Sequence, residues 1–179
     1  MSTKLQARRL SCQPEADTLL IVSNKLLSPQ EFRVWHAFKL MGEDVMERVG
    51  RDITEATGLS GPDFGVLSRV VDMGKGEMRQ QRLAESMGWD KSRLSHHLTR
   101  MQRRHLIDRV EAEKRVVLVV ITKVGRAKLD AARPVHAESI RRNLLSRLSA
   151  QQIEMIVRVS NLLGDEGWES PDRGFESVS

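Results

Sequence analysis

The segment 78–122 constrains the fold of this chain more than any other, because its pattern is typical of two short helices followed by two strands. The first helix, RQQRLAESMG, places Leu83 and Met87 on one face. Gly88 ends it, since glycine readily adopts the left-handed conformation found after a helix. Asp90 is then a good N-cap for a second helix, DKSRLSHHLTRMQRRH.

The second helix of this segment has one narrow apolar stripe. Leu94, Leu98 and Met101 recur at spacings of four and three, as expected for one buried helix face. A strand-like LIDRV follows, then a polar tip EAEKR, then the β-branched run VVLVVI. Two helices and a hairpin with a basic tip predict a winged helix-turn-helix. The remaining faces of the second helix carry polar and basic residues: Lys91, Ser92, Arg93, Ser95, His96, Arg100, Arg103 and Arg104.

Positive charge is concentrated in this same segment. The chain of 179 residues has a formal net charge of +5 and a sequence pI near 9.8. Residues 91–115 hold eight Lys and Arg against three Asp and Glu, so this stretch carries an excess equal to that of the whole chain. A basic surface on a winged helix favours a polyanionic partner, and we expect double-stranded DNA.

Other classes of function have little support in the sequence. The five histidines show no metal-ligand spacing, and neither a Gly-rich phosphate loop nor a Gly-x-Ser-x-Gly elbow is present. We therefore expect no enzyme activity, cofactor or metal. The single cysteine, Cys12, fits a reducing compartment, and no apolar run approaches a membrane span. These features, with the lack of a secretory signal, predict a cytoplasmic protein.

Two helices are predicted before this segment. Ser28 opens a capping box, SPQE, for a helix from Pro29 to about Ala56 that Gly58 ends. Ser60 precedes a second helix, with proline in its first turn. The expected core positions are Phe32, Trp35, Phe38, Val45, Val49 and Ile53 in the first, and Phe64, Leu67, Val70 and Val71 in the second.

Two helices are also predicted after the hairpin. Thr122 caps a helix that extends to about Arg147, and Pro134 inside it predicts a bend or a brief break. Ser149 caps a last apolar helix. Together with the first helix, these are too apolar to lie alone on a small winged domain. They form either an enlarged monomeric core or, in the interpretation we favour, a two-fold dimer whose recognition helices lie roughly 34 Å apart.

The expected fold is mainly α with a small β-hairpin wing. Residues 61–122 form the winged helix-turn-helix DNA-binding domain, and residues 29–60 and 123–164 form a helical dimerisation region. Residues 1–28 are an N-terminal extension, which is an arm on the partner subunit, a short helix or a mobile tail. Residues 165–179 are polar, broken by Gly and Pro, and predicted to be disordered.

From Pro29 to Leu163 the chain resembles the MarR (multiple antibiotic resistance regulator) family of transcriptional regulators. The resemblance is most specific at Asp90-Lys91-Ser92-Arg93, at Arg100, in the wing, and at Ile121-Thr122-Lys123-Val124-Gly125. It implies that Arg115 enters the DNA minor groove while Glu113 holds its guanidinium. The chain departs from the family at His105, where glycine is usual, and at His96, where many members have arginine.

Roles for the candidate DNA contacts follow from their positions. Residues in the first turns of a recognition helix face base edges, so Ser92, Arg93 and His96 are expected to read sequence. Residues further along, or at the start of the preceding helix, are expected to hold phosphates. The full set of expected DNA contacts is Arg79, Gln80, Lys91, Ser92, Arg93, Ser95, His96, Arg100, Arg103, Arg104, Lys114 and Arg115.

The resemblance also implies a dimeric repressor that a small aromatic or anionic ligand releases from a palindromic operator. The residues considered for the ligand are Trp35, His36, Phe38, Asp63, Phe64 and His136. Core packing is the simpler explanation for the three aromatic residues, and surface exposure for the two histidines. Two alternatives are a redox-responsive regulator acting through Cys12 and a winged-helix module for protein contact. The absence of tyrosine disfavours the first, and the basic helix face disfavours the second.

Overall fold

The computed structural model describes residues 26–112 and 116–164. The chain divides into two compact units, Met1–Glu43 and Asp44–Ser179, and the division falls inside the first helix. Among the described residues, no helix is long and apolar enough to cross a membrane.

The described residues form six α-helices, one 3-10 turn and three β-strands. This order confirms the predicted fold class, a mainly helical chain with a small β wing. In chain order the elements are α1 (Pro29–Thr57), α2 (Gly61–Asp72), β1 (Glu77–Arg79), α3 (Gln80–Met87), α4 (Lys91–Arg103), β2 (Ile107–Ala112), β3 (Val116–Ile121), α5 (Lys123–Asn143), the 3-10 turn (Leu145–Arg147) and α6 (Ala150–Leu163).

The predicted helix starts are confirmed at the level of individual hydrogen bonds. Ser60 accepts from the Asp63 backbone N–H, and the Asp63 carboxylate accepts in return from the Ser60 N–H. Asp90 accepts from the Arg93 N–H over 2.8 Å. Ser28 and Ser149 form comparable capping boxes before α1 and α6. Such caps satisfy N–H groups that have no partner inside the helix.

The start of α5 is also capped, and it packs closely against the end of α4. The Thr122 hydroxyl accepts from the Gly125 N–H over 2.9 Å and lies 2.6 Å from the His105 carbonyl oxygen, to which it donates. A Cβ atom at Gly125 would lie 2.0 Å from the Leu106 carbonyl oxygen. Only glycine therefore permits this approach of α5 to the chain that enters β2.

One hydrophobic core occupies the unit 44–179. The predicted stripe of α4, formed by Leu94, Leu98 and Met101, is fully buried. Burying side chains of this size stabilises the fold by roughly 1.5–3 kcal/mol each before entropy is counted. The stripe packs in a cluster with residues of α1, the turn after it, α2, α3, the sheet and α5, which include Ile53, Leu59, Leu67, Leu83, Ile107, Val119 and Leu129.

The sheet has three strands, one more than the predicted hairpin. Its order is β1-β3-β2, and both pairs are antiparallel, with Met78 opposite Val119 and Val110 opposite Leu118. The predicted helix start at Arg79 was wrong by one residue, because Arg79 ends β1 and α3 begins at Gln80. The backbone of β1 pairs with β3, about forty positions later, and a local pattern does not report such a pairing.

Helix α5 differs from the prediction in its length. The helix is continuous through Pro134, so the predicted break does not occur, and it ends at Asn143 instead of near Arg147. Leu144 has left the helical region, and the 3-10 turn leads to the Ser149 cap. Asp52 of α1 fastens this end of α5, because its carboxylate accepts from Ser139, Arg142 and Asn143. The hydrogen bond from Ser139 contributes most to a lowered pKa of Asp52.

The apolar stripe of α1 is buried only in its second half. Val49 and Ile53 belong to the core. Phe32, Trp35 and Phe38, which were expected to be core positions, are each more than half exposed. The first half of α1 therefore presents an aromatic surface that the described residues do not cover.

His105 has the left-handed conformation that the family pattern indicated, with φ of 57°. Glycine is expected at such a position because a Cβ atom crowds the backbone there, at a cost of roughly 1–2 kcal/mol. The side chain of His105 is exposed, so no packing offsets this cost.

The substitution His105→Gly should increase the free energy of unfolding by about 1 kcal/mol, because glycine relieves the backbone strain at this position. Part of this gain is lost because glycine also makes the unfolded chain more flexible. Gly88→Ala is the matched control. Gly88 has φ of 62°, and a Cβ there would meet no atom within 4 Å, so alanine should be destabilising by backbone strain alone. Urea unfolding followed by circular dichroism measures both. A His105→Gly variant no more stable than the wild type would contradict the expectation.

Candidate nucleic-acid interface

Helix α4 has one buried face and one exposed, basic face. Leu94, His97, Leu98 and Met101 are buried, which fixes the rotation of the helix about its axis. Most of the expected DNA contacts on this helix are exposed, namely Lys91, Ser92, Arg93, His96, Arg100 and Arg103. Ser95 is half-buried beside them.

Arg93 is held against an aromatic ring at the start of the helix. Its guanidinium carbon lies 4.4 Å from the centroid of the Trp89 ring, within the range of a cation–π interaction. Trp89 is itself half-buried and meets His97 edge-on, with ring centroids 5.3 Å apart. The interaction with Trp89 therefore restricts the conformations of Arg93, the arginine that is expected to read bases.

Arg100 is held by a buried histidine. Its Nη2 lies 3.0 Å from Nδ1 of His97, and arginine has only donors, so Nδ1 must accept this hydrogen bond. The proton of the neutral ring then resides on Nε2, which lies 3.1 Å from Oδ1 of Asp63. Nε2 forms no hydrogen bond of good geometry, so its contact with Asp63 is a close electrostatic approach.

Asp63 is the buried acid at the centre of these contacts. Besides His97, its carboxylate meets Nη1 of Arg104 at 2.6 Å and the Ser60 N–H at 3.0 Å. Burial raises the pKa of Asp63, but the contacts with His97, with the Ser60 backbone and with Arg104 outweigh burial and hold the pKa well below its usual range. The acid is ionised at neutral pH.

Arg104, one of the expected phosphate contacts, also has partners inside the protein. Its Nη1 pairs with Asp63, and its Nη2 donates to the Gly58 carbonyl over 2.6 Å. Gly58 lies in the turn between α1 and α2, and Asp63 lies in the first turn of α2. Arg104 therefore joins the end of α4 to the start of α2, while its side chain remains 44% exposed. Its expected contact with DNA stays a prediction.

A polar recess of about 310 Å³ lies where α3, α4 and the sheet meet. It brings together three of the expected phosphate contacts, Arg79, Gln80 and Lys91, around an apolar floor. Free N–H groups at the start of a helix also favour anions. The complete lining is Arg79, Gln80, Gln81, Ala84, Lys91, Leu94, Val116 and Val117.

Strand β2 of the wing is tied to α4 by Arg109. Its Nε donates to Gln102 over 3.0 Å and its Nη2 to Thr99 over 3.2 Å. The remaining expected wing residues, Glu113, Lys114 and Arg115, lie outside the described residues.

Sequence reasoning missed three residues that organise this interface: Trp89, His97 and Arg109. Two of them had a usable signal. His97 follows Leu94 by three positions and so lies on the apolar stripe, and Arg109 follows buried Ile107 by two positions on the same strand face. The partners of these side chains are set by tertiary contact, and no local pattern indicated them.

The six residues considered for a ligand fall in different compact units. Trp35, His36 and Phe38 belong to the first and are exposed. In the second unit, Asp63 is committed to its internal partners. Phe64 packs against His136, with ring centroids 4.6 Å apart, and burial lowers the pKa of His136. An uncharged imidazole beside an aromatic ring results.

Comparison with known proteins places this arrangement in a class. A family model described as a domain of unknown function (DUF7343) matches residues 63–120. Comparison with curated protein sequences finds no match. AbsC, a MarR family transcriptional regulator from Streptomyces coelicolor, is 25% identical in sequence, with a TM-score of 0.70 over 76% of this chain and 93% of its own.

Two further solved structures have the same fold. Sco3205, a MarR family transcriptional regulator from Streptomyces coelicolor in complex with DNA, is 21% identical, with a TM-score of 0.68 over 81% of this chain and 96% of its own. The organohalide-sensing transcriptional regulator RdhR-CbdbA1625 in the 2,4-dichlorophenol bound form is 16% identical, with a TM-score of 0.65 over 87% of this chain and 88% of its own.

The fold and the basic face of α4 define a winged helix-turn-helix protein. Its helical elements before and after the winged domain give it, more specifically, the fold of the MarR family of transcriptional regulators. The resemblance predicted from the sequence is confirmed at the level of fold. The matched proteins are regulators and not enzymes.

Asp63→Asn should lower the free energy of unfolding by about 2 kcal/mol, because it leaves His97 and Arg104 without their charged partner. Because the pKa of Asp63 is lowered in the folded chain, the ionised carboxylate stabilises the fold at pH values above ~4, the ordinary pKa of a carboxyl group. This stabilisation is lost as the pH falls below that value. The difference between wild type and variant should therefore be constant from about pH 5 to 8 and shrink in stronger acid.

Urea unfolding across pH measures this difference. Asp72→Asn is the control, because Asp72 pairs with Arg133 at the surface, where about half of each side chain is exposed. Equal losses in the two variants would show that the buried cluster around Asp63 contributes nothing special to stability.

Proposed function

We propose that this protein is a dimeric transcriptional regulator that binds a palindromic DNA operator and is released from it by a small aromatic or anionic ligand. The observation that carries the proposal is the exposed basic face of α4, held at a fixed rotation by a fully buried stripe in a winged helix-turn-helix. The concentration of the net charge in residues 91–115 supports the same conclusion.

The expected roles of the exposed residues divide along α4. Ser92, Arg93 and His96 lie in the first two turns, where a recognition helix meets base edges. Arg100 and Arg103 lie further along and suit phosphates, as do Arg79, Gln80 and Lys91 around the recess. By resemblance, Arg115 with Glu113 would add a minor-groove contact from the wing, and Lys114 a phosphate contact.

Arg93→Ala should weaken binding to the preferred DNA sequence by ~1–3 kcal/mol and relax discrimination at one base pair in each half-site. Arg103→Ala, the matched arginine on the same exposed face, should weaken all sequences alike and reduce the salt dependence of binding. Duplexes enriched from a random pool by the wild-type protein and an unselected duplex are compared by fluorescence anisotropy at several salt concentrations. Identical effects of the two substitutions would contradict this division of roles.

This experiment also tests the main alternative. A winged helix used only for protein contact would bind neither duplex at low salt, and its affinity would not depend on Arg93 or Arg103. A regulator of transcription should bind both duplexes, with a preference for the enriched one that survives as salt is raised.

The dimer is inferred from apolar surfaces that the described residues leave uncovered. In α6 the exposed apolar residues include Met155, Val157, Val159, Leu162 and Leu163, and α6 buries none of its side chains fully. Exposed apolar area of this extent marks an interaction surface. A second copy is the proposed occupant, because reading a palindrome requires two recognition helices about one DNA turn apart.

The double substitution Val159→Glu with Leu162→Glu should raise the dimer dissociation constant at least about tenfold, because it places charges on apolar surface buried in the dimer. Gln151→Glu, on the exposed first turn of the same helix, is the control and should leave assembly unchanged. Sedimentation at a series of concentrations gives the constant. A double variant that associates as tightly as the wild type would exclude α6 from the interface.

The proposed effector is a small aromatic or anionic ligand. The neutral His136 beside Phe64 supports an aromatic ligand, as does the 2,4-dichlorophenol bound by one of the matched proteins. A ligand that releases DNA must bind the DNA-free state more tightly, and linkage then requires DNA to weaken the ligand by the same factor. Calorimetry with 2,4-dichlorophenol should therefore show weaker binding when the enriched duplex is present. Equal affinity in both titrations would rule out release by this compound.

A further inference from the structure

We propose that His97 is a positioning residue for DNA contact, which orients the Arg100 guanidinium from inside the winged domain. The inference rests on the proposed function and extends it, because His97 itself is buried and touches no DNA in that scheme. Its side chain is only 8% exposed. It acts through the 3.0 Å hydrogen bond that its Nδ1 accepts from Arg100.

The ring of His97 is fixed by contacts from several directions. Asp63 on α2 faces Nε2 at 3.1 Å, and Trp89 packs edge-on against the ring. The Asp63 carboxylate also binds Arg104 on α4, which keeps the acid ionised and in place. Arg93 lies over the same Trp89 ring, with its guanidinium carbon 4.4 Å from the ring centroid.

The electrostatics make this contact directional. A neutral ring with its proton on Nε2 has that proton on the side of the carboxylate and leaves a lone pair on Nδ1 for Arg100. Any other protonation state would set an N–H of the ring against the guanidinium. Arg100 is an exposed arginine with one nitrogen committed inward, so its remaining N–H groups are aimed outward from the DNA-facing side of α4. A long side chain held at one end loses less entropy when it binds phosphate.

The test is a coupling measurement on the full chain, with anisotropy of an unselected duplex of roughly 30 base pairs, about three turns, at low salt. In the wild type, Arg100→Ala should lower affinity about fivefold. In a His97→Phe background, the ring still supports Trp89 but offers no acceptor. There, Arg100→Ala should lower affinity less than about twofold, since Arg100 is already misplaced.

His97→Asn supplies the rescue. Its amide oxygen can take the place of Nδ1 as an acceptor, so Arg100→Ala should regain its full effect in that background. A merely structural histidine would give the same Arg100→Ala effect in all three backgrounds, which would overturn the proposal. So would a wild-type chain that binds DNA but loses nothing on Arg100→Ala.

A second measurement avoids the need for His97 variants that fold. Nitrogen-15 spectra of the wild-type imidazoles, with His97 assigned from its contact with the Trp89 ring, should show a bare Nδ1 and a protonated Nε2 at pH ~7.5. Arg100→Ala should shift the Nδ1 resonance. A protonated Nδ1, or a resonance insensitive to Arg100, would overturn the proposal even with DNA binding intact. Failure of the wild type to bind any duplex would instead overturn the proposed function, so the two failures are distinguishable.

Discussion

The buried carboxylate of Asp63 is the constraint on which the arrangement of the winged domain depends. It closes the capping box that starts α2, it accepts a hydrogen bond from Arg104 at the end of α4, and it lies 3.1 Å from Nε2 of His97 in the middle of that helix. An ionised acid is stable in so buried a place only when such donors surround it. The position of α4 relative to α2 is therefore set by electrostatics as well as by packing.

This constraint explains how an amphipathic helix can present a defined basic face. The stripe of Leu94, Leu98 and Met101 fixes which side of α4 is buried. Apolar packing alone is non-directional and would tolerate small rotations of the helix. The contacts of His97 and Arg104 are directional, and with Thr122 holding the His105 carbonyl they fix both the rotation of the helix and its end.

The interior and the exposed surface of the chain are organised differently. The core of residues 44–164 is closed around α4 and the sheet, whereas α6 and the first half of α1 each expose large apolar side chains. A chain that left these surfaces in water would be at risk of aggregation. The proposed dimer removes that risk and at the same time supplies the second recognition helix that a palindromic operator needs.

The helices, their caps and the stripe of α4 were predictable from the sequence because the interactions behind them are local. Ser60, Asp90, Thr122 and Ser149 each accept from a backbone N–H three residues later, so a short window of sequence contains the whole contact. The left-handed conformation of His105 was indicated by the family resemblance instead of by a local pattern.

What only the tertiary structure decided involves partners that are distant along the chain. Strand β1 exists because β3 pairs with it, and Arg104 turns inward because Asp63 lies beside it in space although 41 positions earlier in sequence. The sequence also did not determine the exposure of Phe32 and Trp35. An apolar stripe shows that a helix face packs against other residues, but it does not show which chain these residues belong to. The sequence by itself determined the helices, the hairpin and the basic face. Tertiary contacts decided strand β1 and which charged side chains pair with buried groups, because an arginine finds a buried carboxylate only after the chain has folded around it.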